Sequence, residues 1–222
     1  MFADLSNSFR DSLPSMNRAS SGPESVRPTY RDFEWVTADY PWTTNGFFVT
    51  YVKGSDPATV IEAMTVESLG TESGLTGVNE RGWEEPAVIG AAVVEDWTIA
   101  ISPASIACAS EELMRPLSLG REVLTHYRDV NGGAGFYVWE DGERAAYFDP
   151  LLRCGFGLDP IPEQWVPRLE EVGVNPDGDE PMTDDGGFPV IEASLALAAN
   201  YTGVRITPEF LASATFIVGS SD

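Results

Sequence analysis

The densest run of chemically active side chains is NPDGDEPMTDDGG, Asn175 to Gly187, and its carboxylates begin with the spacing of a cation loop. Asn175, Asp177 and Asp179 take positions 1, 3 and 5 of an EF-hand, where alternate residues of a tight turn supply oxygen ligands. The match then fails. Position 6 is Glu180 where glycine must make the turn, and position 12 is Gly186 where a bidentate glutamate is required. The stretch is therefore read as an exposed acidic loop over residues 174–187. Asp177, Asp179, Asp184 and Asp185 are candidate contacts for a positively charged partner, and no metal ligand is expected among them.

Other reactive groups are sparse. Asn131-Gly132-Gly133-Ala134-Gly135 resembles a phosphate loop in composition, but it leads into a strand pattern with no following lysine, whereas phosphate loops open a helix whose N–H groups face the anion. It is read as a turn. His126 is the only histidine, and Cys108 and Cys154 stand far apart with no C-x-x-C spacing, so neither zinc nor a disulfide is indicated. A pairing of His126 with Cys154 has no support from spacing. G-x-S-x-G and S-x-x-K do not occur. No catalytic residue and no cofactor is assigned. Arg128 and Asn131, at the end of a strand before the glycine run, are candidate binding residues, because loop chemistry is often placed there. Trp139 is a third, as part of a possible outward aromatic patch with Trp97, Tyr137 and Tyr147.

The elements that would position these residues centre on Leu119–Leu152. Val123 to Val130, Phe136 to Trp139 and Ala145 to Phe148 read as three strands of a meander. Asp141-Gly142 supplies the two positive-φ residues of a tight hairpin. Upstream, Gly46–Val52 is a strand, and Asp56-Pro57 starts a helix with an N-cap followed by proline at the first helical position. Glu67–Pro86, glycine-rich and polar, reads as a long loop. Ala87–Val94 and Trp97–Ile101 are strands joined at Glu95-Asp96, and Ser110 caps a short helix limited by Pro116. Short helices are expected at Trp165–Val172, from Pro189 through Tyr201, and from Thr207-Pro208 to about Ala214.

Composition narrows the partners. The formal net charge is −22, from 35 acidic and 13 basic residues, and Lys53 is the only lysine. Such a charge repels nucleic acid and anionic lipid, so neither is expected as a direct partner, and a basic protein is the favoured class. Between Asp159 and Glu192 ten acidic residues face the single Arg168. No apolar run suits a signal peptide or a membrane span, so a cytoplasmic protein is expected. Residues 1–33 are rich in Ser, Pro, Asn and Arg and poor in aliphatics, and read as a flexible extension ahead of one domain over 34–222.

HYRDVNGGAGFYVWEDGERAAYFDPL, with GFFVTYVKGSDPATVIEAM before it and AANYTGVRITPEFLASATFIVG after it, resembles a family of uncharacterised proteins, a domain of unknown function common in high-GC soil bacteria. The resemblance spans residues 35–219, apart from Glu67–Pro86 and the acidic loop near Asp177–Gly187. It implies one folded domain and carries no activity.

The expected fold is α+β: a mostly antiparallel sheet of about five or six strands with short helices packed mainly on one face. The expected function is a non-enzymatic acidic interaction protein, such as an immunity or inhibitor protein that masks a basic partner. Two alternatives remain: an enzyme whose site no motif reveals, and a small-ligand binding module built on the aromatic meander.

Overall fold

The computed structural model describes residues 27–104, 110–150, 160–175 and 189–222. A 3-10 turn at Tyr30–Phe33 leads into α1 (Glu34–Asp39), and another at Pro41–Asn45 precedes β1 (Phe47–Lys53). Then come α2 (Pro57–Met64), β2 (Glu67–Ser73), α3 (Gly74–Glu84), β3 (Val88–Val94), β4 (Trp97–Ser102) and α4 (Glu111–Leu117). The meander is β5 (Glu122–Arg128), β6 (Ala134–Glu140) and β7 (Glu143–Phe148). A 3-10 turn at Glu163–Trp165, α5 (Val166–Glu171), α6 (Val190–Thr202), α7 (Pro208–Ser213) and β8 (Thr215–Ser220) complete the described chain.

Local chemistry sets several of these boundaries. The Asp56 carboxylate accepts from the Thr59 N–H at 3.0 Å, and Pro57 occupies the first turn of α2. Thr207 does the same for α7, accepting from the Phe210 N–H at 3.2 Å. Asp141 and Gly142 take φ of 48° and 80°, which gives the β6–β7 hairpin the turn its sequence announces.

All eight strands form one antiparallel open sheet in the order β2-β8-β3-β4-β1-β5-β6-β7. Side chains alternate across it. Val49, Tyr51, Leu124, Phe136, Val138 and Phe148 face one way and pack with α1, α3, α5, α6 and α7. Phe48, Val52, Val123, Tyr137 and Trp139 face the other way, against Val60, Ile61 and Met64 of α2 and Met114 and Leu117 of α4. Two glycines let helices lie close on opposite faces. A Cβ at Gly90 would meet Val78 of α3 at 2.6 Å, and one at Gly219 would meet Thr65, just after α2, at 2.5 Å.

The α+β class holds, but the sheet has eight strands rather than five or six. Six are the strands the sequence announces, and the other two pair with each other. The stretch 67–86 is not a loop; residues 67–84 of it form β2 and α3. The seven residues of β2 show no apolar alternation because both faces of this edge strand lie largely in solvent. The last strand, β8, begins where the α7 helix ends, and inserts between β2 and β3.

The boundary of the extension also moves. Tyr30 and Phe33 are buried, the Tyr30 N–H donates to the Val172 carbonyl at 3.0 Å, and Asn200 donates to the Pro28 carbonyl at 3.1 Å. Residues 27–33 therefore belong to the folded body. A helix buried all round needs a second wall, and this segment with α1 and α5 supplies it for α6. Phe33→Ala is expected to cost about 3–5 kcal/mol, as a truncated buried aromatic does. Gly90→Val is expected to cost about 1–3 kcal/mol through overpacking against Val78. Denaturant melts at neutral pH check both, and removal of residues 1–33 should lower the midpoint where removal of 1–26 does not.

Candidate binding site at one end of the sheet

Of the binding residues singled out in the sequence, the structure describes Arg128, Asn131 and Trp139. Trp139 is 1% exposed and lies in the core beneath α2 and α4, so it is not a surface contact. Trp97 is also buried. Tyr137 and Tyr147 stack with Tyr127 and Phe48 in a ladder across β7, β6, β5 and β1, with centroid spacings of 4.4, 6.1 and 5.3 Å. This ladder is cross-strand packing rather than an outward aromatic patch. The Arg128 guanidinium donates to the Thr44 carbonyl and ties the turn before β1 to the end of β5. Asn131 is exposed in the β5–β6 turn, where the Asp129 carboxylate accepts from the Asn131 and Gly133 N–H groups at 2.8 Å each. Asp177, Asp179, Asp184 and Asp185 lie outside the described residues, as do Cys108 and Cys154. Among the described residues no group of three or more His, Cys, Asp or Glu is placed to hold a metal ion.

Strand register assembles a different constellation. Trp97 opposes Lys53 across β4 and β1, and Lys53 is ion-paired with Glu122 at the start of β5. Glu122 opposes Glu140 across β5 and β6, and Glu140 opposes Glu143 across β6 and β7. Three glutamates thus stand in register on three adjacent strands, although like charges directly opposite each other destabilise a sheet. The Glu95-Asp96 turn and Asp141 of the β6–β7 turn lie at the same end. This rim holds Glu95, Asp96, Glu122, Glu140, Asp141 and Glu143 against Lys53, Arg121 and Arg144.

Partners partly relieve the crowding. The hydrogen bond to Glu122 holds the Lys53 ammonium above its ordinary pKa. Arg115 of α4 reaches Glu143 at 3.1 Å. For Glu140 the donor is the Tyr201 hydroxyl, at 3.2 Å, which also lies 3.5 Å from Glu122. Burial first, then the charges of Glu122 and Glu140, raise the Tyr201 phenol above its usual value and keep it a donor. Tyr201 stacks on Trp165 with centroids 5.4 Å apart, and the Arg168 guanidinium lies 5.4 Å from the Trp165 centroid and 5.6 Å from that of Tyr201. Glu140, Trp165, Arg168 and Tyr201 line a cavity of about 250 Å³ whose floor includes Val138 and Ala146.

Sequence reasoning missed this group, because its members are 53, 122, 140, 165, 168 and 201 and share no local motif. One signal was present: Lys53 is the only lysine in a chain that otherwise uses arginine.

The model of the family of unknown function DUF6461 matches residues 26–222. The chain belongs to that family. The match starts ahead of Tyr30 and runs through β2 and α3, so Glu67–Pro86, left out of the resemblance, lies within the matched region. No curated protein and no solved structure matches the chain. No helix among the described residues is long and apolar enough to cross a membrane.

His126 lies apart from the rim, 1% exposed, on the sheet face covered by α6 and between the rings of Tyr51 and Phe136 at 5.9 and 6.2 Å. Its Nε2 has no hydrogen-bond partner among the described residues. Burial pushes the imidazole pKa down to about 3, so it is neutral in the fold, whereas the unfolded chain titrates near 6.5. A depressed base contributes stability above its unfolded pKa and loses it as pH falls, here between about 6.5 and 3. The loss approaches about 1.4 kcal/mol per pH unit within that window. His126→Phe should therefore melt with a smaller fall in stability from pH 7 to pH 5 than the wild type; parallel denaturant titrations at the two pH values read the difference directly.

Proposed function

We propose that the protein is a non-enzymatic interaction protein that binds a positively charged protein through its acidic rim, in the manner of an immunity or inhibitor protein. The observation that carries this reading is the register of Glu122, Glu140 and Glu143. A sheet selected for stability alone would avoid like charges opposite each other on adjacent strands. A binding surface benefits from the same arrangement, because a concentrated field steers an oppositely charged partner during encounter. Five of the ten described cations, Arg27, Lys53, Arg81, Arg115 and Arg205, are in ion pairs with carboxylates, which leaves the surplus acidity largely uncompensated. Asp177, Asp179, Asp184 and Asp185 add to that surplus in the sequence. A cytoplasmic location belongs to the same reading, and nucleic acid and anionic lipid remain unfavoured as partners.

The test is the association rate of a basic partner, cross-linked and recovered from the native host, measured as a function of salt. Screening at physiological ionic strength acts over about 8 Å, so the rate should fall steeply with added salt. Replacing Glu95, Asp96, Asp141 and Glu143 by Gln or Asn should slow association about tenfold while leaving the melting midpoint near that of the wild type. A second variant neutralising Asp177, Asp179, Asp184 and Asp185 separates the contribution of these four residues from that of the rim. A rate indifferent to salt, or unchanged in both variants, would reduce the acidity to a solubility feature.

A further inference from the structure

We propose that the cavity between β6, β7, α5 and the end of α6 binds a small zwitterion of the α-amino-acid class with an apolar side chain. The proposal concerns a half-open cavity rather than the rim field, and the two share Glu140 alone.

The first observation is the state of Arg168. Its guanidinium carbon lies over the Trp165 and Tyr201 rings, 5.4 and 5.6 Å from their centroids, within cation–π range of both. A cation–π contact needs no N–H hydrogen bond, and the guanidinium fork matches a carboxylate in bidentate fashion. Among the described residues no carboxylate is ion-paired with Arg168, in a chain where 35 acidic residues compete for 13 basic ones. An arginine held beside aromatic rings on a cavity wall, with no carboxylate partner among the described residues, is suited to holding an incoming carboxylate.

The second observation is Glu140 on the same cavity. One of its oxygens accepts from the Tyr201 hydroxyl at 3.2 Å, which orients the carboxylate without neutralising it. Lys53, two strands away in the row, is ion-paired with Glu122. Glu140 therefore keeps acceptor capacity for an ammonium. A purely anionic ligand would meet the Glu140 charge and a purely cationic one would meet Arg168, so the pair together favours a molecule carrying both charges. Val138, Ala146 and the Trp165 ring supply apolar wall for its remainder. The volume, about 250 Å³, lies below the usual range for drug-sized ligands and suits a single amino acid.

The experiment uses the full chain and three probes: L-phenylalanine, 3-phenylpropanoate, which lacks the ammonium, and phenethylamine, which lacks the carboxylate. Saturation-transfer NMR and calorimetry should show L-phenylalanine or, in a parallel series, L-leucine binding, with both truncated probes about tenfold or more weaker. Arg168→Gln should weaken the amino acid about tenfold or more. Glu140→Gln should weaken it too, while improving 3-phenylpropanoate relative to the wild type, an inversion that general damage to the fold would not produce. Arg168→Lys, which keeps the charge and loses the bidentate fork, covers the case in which Arg168→Gln unfolds, and it should also bind more weakly. No binding by either amino acid, truncated probes that bind as tightly as L-phenylalanine, or affinities unchanged in Glu140→Gln and Arg168→Lys, would each overturn the assignment.

Discussion

The structure depends on the burial of α6 on every side. Ten consecutive residues of this helix, Val190 to Ala199, are buried, and they include Glu192 and Ser194. A helix apolar all round cannot lie on a sheet with its outer side in water. The sheet covers one side, and Tyr30–Phe33, α1 and α5 must cover the other. The segment before β1 is thereby recruited into the core, despite a composition poor in aliphatics. Polar contacts secure the arrangement. Thr37 of α1 donates to the buried Glu192 carboxylate at 2.6 Å, and Asn200 donates to the Pro28 carbonyl.

The same helix sets the geometry at the end of the sheet. Because α6 is fixed along its length, Tyr201 in its final turn is held against Trp165 on one side and the Glu122–Glu140 pair on the other. The aromatic cavity and the acidic rim therefore share a wall, with Glu140 belonging to both. A rigid element supplies the hydroxyl, a strand end supplies the carboxylate, and a short helix supplies the guanidinium. Groups held by regular structure keep their geometry better than groups on loops.

Packing on the opposite face has a different character. There α2 and α4 leave the Phe48–Tyr127–Tyr137–Tyr147 ladder as a stack of rings running across four strands. A Cβ at Gly135 would lie 2.7 Å from the Tyr127 ring, so this glycine, the second residue of β6, makes room for the stack. Residues attractive as a phosphate or aromatic binding site are thus absorbed by the fold.

The sequence by itself determined the six strands with strong β patterns, the Asp141-Gly142 hairpin and the capped starts of α2 and α7, because each is specified by neighbours within a few residues. It also determined the acidity and the solitary lysine. Tertiary structure decided the rest. In β2, Glu67–Ser73 has no apolar alternation to announce it, and the strand exists because β8 offers it a hydrogen-bonding edge. Tyr30 and Phe33 look like tail residues until α6 needs covering. Glu122, Glu140 and Glu143 are unremarkable along the chain, and only register sets them on adjacent strands. Arg168 and Tyr201 are 33 residues apart in sequence, and stack only because α5 packs against α6. Pairing across strands and packing between helices are long-range constraints, and local residue patterns carry no record of which distant partner will satisfy them.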